Sequence, residues 1–175
     1  MPAPLPAAQK LPKLEWPAIG AARVSTVASR RWKLLVVYRG AHCGMCKRYL
    51  IELNGLRASF DEESVGVAAV SADTRAKAQR WVDELALAFP LAYGLGEADM
   101  HALGLYVSKP APRDGVRHVF AEPAVFLLDP RGRLHMACVG NAPYARPPLG
   151  AVLDGVKEIR KQRLAPHGTI WPVVE

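Results

Sequence analysis

Apolar residues fall along this chain in two rhythms: short unbroken runs, and longer stretches in which they recur every three or four positions. Leu34-Leu35-Val36-Val37-Tyr38 is a run of the first kind, the pattern of a strand covered on both faces. Cys46, Tyr49, Leu50, Leu53, Leu56 and Phe60 then advance by steps of 3, 1, 3, 3 and 4, which lines one side of a helix. Val65 through Val70 reads as a second buried strand. Beyond it, Ala78, Trp81, Val82 and Leu85 make another helical face, with Asp73 as its expected N-cap. Phe89 through Leu95 has room for a third short strand and Ala98 through Leu105 for a short helix. Ala124–Leu128 and Leu134–Val139 read as a fourth and fifth strand, joined by the turn residues Asp129-Pro130-Arg131-Gly132. Leu149, Val152, Leu153, Val156 and Ile159 supply a last helical stripe. Strand and helix alternate, then a hairpin and a helix follow. That order predicts an α/β domain with right-handed parallel crossovers and a mixed central sheet, the hairpin adding an antiparallel edge.

Composition changes this picture little. At 175 residues, 50% hydrophobic and 22% charged, the chain fits one soluble domain with a core that needs no disulfide scaffold. Prolines at 2, 4, 6, 12 and 17 mark residues 1–20 as an extended N-terminal segment lying on the body or partly disordered. The domain proper is expected over 21–168, with 169–175 a tail.

The net charge of +7 raises the question of anionic partners. The basic residues are scattered, however, and the runs Arg30-Arg31-Trp32-Lys33 and Lys157–Arg163 read as solvated faces. With no zinc-finger spacing and no aromatic platform, no nucleic-acid partner is expected. No stretch approaches the ~20 apolar residues that span a bilayer, so no membrane partner is expected either. The N-terminus has neither the basic nor the apolar part of an export signal, which points to the cytoplasm. In that compartment thiols stay reduced, and a close cysteine pair is there for chemistry or metal.

Such a pair exists: Cys43-Gly44-Met45-Cys46 lies between the first buried strand and the first helix. A helix N-terminus offers partial positive charge and free N–H groups to a thiolate. Two cysteines one helical turn apart can also close a disulfide without large movement. His42, Lys47 and Arg48 flank the pair and add to the field. A metal reading needs further ligands, of which the nearest candidates are His135 and Cys138, some ninety residues on. Cys138, with Met136 and Val139 beside it, is most simply a packed core cysteine. His101, His118 and His167 carry no role, and Trp32 and Trp81 read as core. Neither a nucleophile elbow nor a glycine-rich phosphate loop is present, and no cofactor is called for, since the cysteines carry the electrons.

The segment Leu35-Val36-Val37-Tyr38-Arg39-Gly40-Ala41-His42-Cys43-Gly44-Met45-Cys46-Lys47-Arg48-Tyr49-Leu50 resembles the active-site run of peroxiredoxin-like redoxins of the alkyl hydroperoxide reductase and thiol-specific antioxidant (AhpC/TSA) family. Val70–Thr74, Glu122–Leu127 and Pro143–Pro147 resemble later family motifs in the same order, so the resemblance runs from about residue 15 to 168. It implies a thioredoxin-like fold, a mixed sheet with helices on both faces. It also implies a thiol-dependent redox enzyme working through Cys43 and Cys46. Where the family motif Pro-x-x-x-Thr-x-x-Cys would place Pro, Thr and Cys, this chain has Arg39, Cys43 and Cys46. The usual late arginine has Pro123 in its apparent place, which instead resembles the cis-proline of thioredoxins. Gly44 stands where many relatives have Pro and loosens the helix start.

Two mechanisms follow from the resemblance. In a peroxidase, Cys46 attacks the peroxide and Cys43 condenses with the resulting sulfenic acid, Arg39 or Arg48 polarising the peroxide oxygens. In a protein-disulfide oxidoreductase, Cys43 is the nucleophile and Cys46 resolves. Arg39, His42 and Pro123 shape the site in either case. The reductant would be a dithiol such as the thioredoxin or glutathione system, and relatives often pair as homodimers through surfaces beside the site. A third reading is a non-catalytic carrier of copper or another thiophilic metal, using Cys43, Cys46 and His135.

Overall fold

The unbroken apolar runs become the middle of a seven-stranded sheet. In the computed structural model, which describes residues 5–170, the strands are β1 (Glu15–Ile19), β2 (Arg23–Ser25), β3 (Trp32–Val37), β4 (Val65–Val70), β5 (Leu91–Ala92), β6 (Val107–Ser108), β7 (Phe120–Ala121), β8 (Ala124–Leu128) and β9 (Leu134–Val139). The helices are α1 (Gly44–Glu62), α2 (Arg75–Leu85), α3 (Glu97–Ala102) and α4 (Leu149–Gln162). The sheet order is β2-β1-β5-β4-β3-β8-β9, parallel across β5, β4 and β3 and antiparallel elsewhere. β6 and β7 form a separate two-stranded ribbon.

Alternation along β3 sends Leu34 and Val36 to one face and Leu35 and Val37 to the other. The first face is covered by Cys46, Tyr49, Leu50 and Leu53 of α1, Ala78 and Trp81 of α2, and Val152 and Val156 of α4. Leu11, Trp16, Val24, Met100 and Leu103 cover the second face, which therefore rests on the N-terminal segment, the β1–β2 hairpin and α3. The result is the expected mixed sheet with helices on both faces.

Two expectations change. Residues 15–19 are not part of a leader: β1 is an inner strand, pairing with β2 on one side and β5 on the other, and Trp16 is buried. Only the stretch before it lies on the body as an extended chain, with the Ala8 N–H donating to the Leu134 carbonyl at 2.8 Å. The Pro-rich start from 1 to 4 and the end of the tail from 171 lie outside the described residues. The cap of α2 is Thr74, whose hydroxyl accepts from the Lys77 N–H, and not Asp73. Asp73 turns the other way, into the loop that carries the cysteines.

Candidate active site

β3 ends beside the start of α1, and the loop between them must reverse within a few residues. Gly40 makes this turn at φ +135°, where a Cβ would press to 3.1 Å from both Asp73 Oδ1 and His42 Nδ1. Asp73 Oδ2 accepts the Ala41 N–H at 2.7 Å, and the Cys43 N–H closes onto the Gly40 carbonyl at 3.0 Å. The buried Asp73 carboxylate thus pins the loop that presents the first cysteine. This role has a sequence signal, an acid directly after a buried strand, which capping logic assigned to the wrong partner.

Cys43 is the N-cap of α1. Its sulfur accepts the backbone N–H of Cys46 at 3.3 Å, so one of the unpaired donors of the first turn points at it. Both cysteines are free and buried, Cys46 completely. Hydrogen bonding from the Cys46 thiol, then from its backbone N–H, together with the Arg39 guanidinium, pulls the Cys43 thiol down to about 5 against the opposing effect of burial. The Cys46 thiol moves the opposite way, because it donates to Cys43, lies buried, and sits beside the negative charge Cys43 carries.

Each sulfur has its own arginine. Arg39 stands at the end of β3, its Nε 3.1 Å from Glu122 Oε2 and its guanidinium 4.7 Å over the Phe120 ring. Glu122 is buried and also accepts the Ser108 hydroxyl at 2.6 Å. The β6–β7 ribbon brings Ser108, Phe120 and Glu122 together for this purpose. Arg146 approaches from the other side, with Nη2 3.6 Å from the Cys46 sulfur, Nε donating to the Pro143 carbonyl at 2.8 Å, and the guanidinium 5.0 Å over Tyr49. Tyr49 in turn donates to the Pro147 carbonyl at 2.7 Å. A Cβ on Gly140 would collide with the Ala145 carbonyl, so only glycine lets this loop fold back so tightly. The resemblance pointed to the Pro143–Pro147 segment with Arg146 in it, but gave Arg146 no contact with Cys46. Glu122, Ser108 and Phe120 were missed as partners of Arg39.

The other expected site residues divide. His42 packs its ring 4.6 Å from that of Phe120, and neither ring nitrogen has a hydrogen-bond partner among the described residues. Burial, then the nearby Arg39 charge, lower its pKa, which leaves it neutral at pH 7. Pro123 is buried at the start of β8, but its peptide bond is trans, as are all those described, so the likeness to a thioredoxin cis-proline does not hold. Its carbonyl accepts the Gly140 N–H at 2.9 Å and so ties the Arg146 loop to the sheet.

His135 belongs to the far end of the sheet, where β9 runs beside β8 and Trp32 begins β3. Its ring sits 5.0 Å from that of Trp32, and Nε2 donates to the Leu164 carbonyl at 3.0 Å. At about 3.3 Å per strand residue it is more than 10 Å from the cysteines. The proposed Cys43, Cys46 and His135 metal set therefore does not assemble. Cys138 is half-buried rather than enclosed in the core, on β9 opposite Val125. No helix among the described residues is long and apolar enough to cross a membrane.

The model of the AhpC/TSA family matches residues 7–137. No curated protein matches in sequence. Among solved structures, a cysteine-to-serine mutant of peroxiredoxin 6 from Arenicola marina superposes with TM-score 0.78 at 16% identity, over 91% of this chain and 75% of that one. A peroxiredoxin-like protein from Aquifex aeolicus gives 0.74 at 18%, over 90% and 89%. AhpC from Enterococcus faecalis gives 0.71 at 20%, over 95% and 98%. At these identities the superpositions establish a common fold.

Proposed function

Because the chain belongs to the AhpC/TSA family of thiol-dependent oxidoreductases, we propose that it is a thiol peroxidase that cycles a Cys43–Cys46 dithiol and disulfide, with Cys43 as the attacking sulfur. The observation that carries this assignment is the place of the Cys43 sulfur at the cap of α1, accepting the Cys46 N–H within the field of Arg39. A thiolate is the nucleophile in such chemistry, and Cys43 is the sulfur held as one at neutral pH. Cys46, buried and holding its proton, suits the resolving role. This reverses the order that alignment with the family motif suggests.

In the first step the Cys43 thiolate attacks the terminal oxygen of a hydroperoxide. The S–O bond forms and the O–O bond breaks. The leaving alkoxide, or hydroxide, takes up a proton, and Cys43 becomes a sulfenic acid. Arg39, fixed by Glu122 and Phe120, supplies positive charge where the leaving oxygen develops its negative charge. In the second step the Cys46 sulfur attacks the Cys43 sulfur, its proton leaves with the hydroxyl as water, and the disulfide closes. Arg146 supports the Cys46 thiolate that this step requires. The balance is two thiols and one hydroperoxide giving a disulfide, an alcohol or water, and water. A dithiol protein of the thioredoxin type then restores the pair by exchange.

The test is rapid mixing of reduced protein with hydrogen peroxide, with intact mass at each end point. Cys46→Ser is expected to keep the fast first phase and to hold a sulfenic acid on Cys43; Cys43→Ser is expected to lose the phase. A wild-type rate no better than that of a free thiol, or a sulfenic acid trapped on Cys46 in Cys43→Ser, overturns the proposal.

A further inference from the structure

The end of the sheet farthest from the cysteines holds a cleft of about 350 Å³ between the β1–β2 hairpin and the start of β3 and β4. Its apolar wall comes from Val24, Trp32, Gly66, Ala68 and Pro90, and four cations, Arg23, Arg30, Arg31 and Lys33, stand around it. Two of these are already paired, Arg23 with Glu15 and Arg31 with Asp61. Arg30 and Lys33 have no carboxylate partner among the described residues.

Lys33 is the unusual member. Alternation along β3 turns its side chain inward, to the same face as Leu35, and its ammonium donates to the carbonyls of Ser25 and Val27. Those are neutral acceptors. Burial lowers its pKa, and no counter-ion among the described residues offsets that cost. An ammonium has three donors, so one remains for a ligand. Beside it, Gly66 is the register partner of Lys33 on β4, and a Cβ there would meet only the Trp32 carbonyl, at 3.7 Å. The missing side chain leaves the cleft open next to the charge. Its volume falls within the range of small-molecule sites, about 300–1,000 Å³.

We propose that this cleft is a second binding site, independent of the redox centre, for a small amphipathic anion. Lys33 and Arg30 take the anionic head, a carboxylate, phosphate or sulfonate, and the wall from Val24 to Pro90 takes an apolar body of the size of one or two rings. The ligand supplies the counter-charge that the fold leaves out, and the apolar wall selects against inorganic anions.

The probe is anilinonaphthalene sulfonate, titrated onto the reduced full-length protein and followed by its fluorescence, beside the uncharged phenylnaphthylamine. The expected result is one saturable site for the sulfonate, with binding of the uncharged ring system weaker by about tenfold or more, the worth of a charged hydrogen bond. Lys33→Met keeps the stem of the side chain and is expected to weaken sulfonate binding by a similar factor. Gly66→Leu fills the cleft at a strand position where it introduces no backbone strain, and is expected to abolish binding while the protein keeps its thermal transition. Absence of a saturable site in the wild type overturns the proposal, as does equal binding of the uncharged probe. So does sulfonate affinity unchanged in Gly66→Leu or in Lys33→Met.

Discussion

Cys43 and Cys46 lie one helical turn apart, yet their surroundings are built on different plans. Around Cys43 the groups are tied by hydrogen bonds and an ion pair: a helix N-terminus, and an arginine paired with the buried Glu122, which in turn accepts from Ser108. Around Cys46 the sulfur is sealed in the core, and its arginine arrives on a loop held by its own Pro143 carbonyl, by Tyr49, and by the close approach of Gly140 to Ala145. One region holds a negative charge in readiness, and the other keeps a proton until a partner sulfur is oxidised. The difference shows how two chemically identical side chains acquire opposite roles: the helix dipole is shared, but burial and the direction of the hydrogen bonds are not.

The largest effect should come from breaking the Cys43 side. Arg39→Met removes the charge beside Cys43 and is expected to slow the peroxide step by about 100-fold, the scale for loss of one preorganised electrostatic donor. It also strands Glu122 in the interior. Because Arg39 is only partly buried and Glu122 keeps Ser108, the loss should fall below the ~3–5 kcal/mol of a fully buried pair, and chemical denaturation would read it directly. Arg39→Lys should recover part of both. If Arg39→Met leaves the rate of sulfenic acid formation intact, the arginine is structural only.

Breaking the other side should touch a different step. Arg146→Met is expected to leave sulfenic acid formation unchanged and to slow disulfide closure by about tenfold, the worth of one hydrogen bond to a charged group. Stopped-flow fluorescence with mass detection separates the two phases. A loss in the first phase would mean that Arg146 serves the peroxide and not the resolving thiol.

The pH dependence sharpens the same contrast. Cys43 titrates lower when folded than when unfolded, where thiols lie near about 8.5. Its contribution to stability is therefore complete above that value and lost as pH falls through about 5. The difference in melting temperature between wild type and Cys43→Ala is expected to shrink as pH is lowered from about 8.5 toward about 5. The rate of the first step should fall through the same lower limb. A difference that stays constant with pH would mean that Cys43 is protonated in the folded protein.

How far these two regions could be read from the sequence follows from how local their causes are. The cap position of Cys43 was legible, since it needs only a strand, a turn and a helical stripe in succession. So was the main sheet, because β3, β4, β8 and β9 are runs of five or six residues. The arginine partners were not. Arg39 meets Glu122 across 83 positions, and Arg146 meets Cys46 across 100. The ribbon that brings Glu122 in has two residues per strand, too few to show an alternation. β1 was hidden for another reason: Pro17 within it reads as a break, although the strand pairs on both sides. Asp73 had the right position and the wrong partner, because a cap and a loop anchor call for the same residue type.

His42 yields the smallest effect and the cleanest test of which neighbours matter to Cys43. Sequence adjacency makes it an obvious candidate to tune the thiolate. Its ring packs on Phe120 instead, both nitrogens lack partners among the described residues, and burial with the Arg39 charge keeps it neutral. Two shielded polar atoms without a partner, on a half-buried ring, are a cost that the fold carries, and an apolar ring of similar shape removes it. His42→Phe is therefore expected to raise unfolding stability by about 1 kcal/mol and to leave the lower limb of the pH–rate profile in place. A destabilised variant, or a limb that moves upward, would show that an imidazole nitrogen supports the Cys43 thiolate in the reacting protein. The Cys43 side of the pair would then have a second charged member besides Arg39.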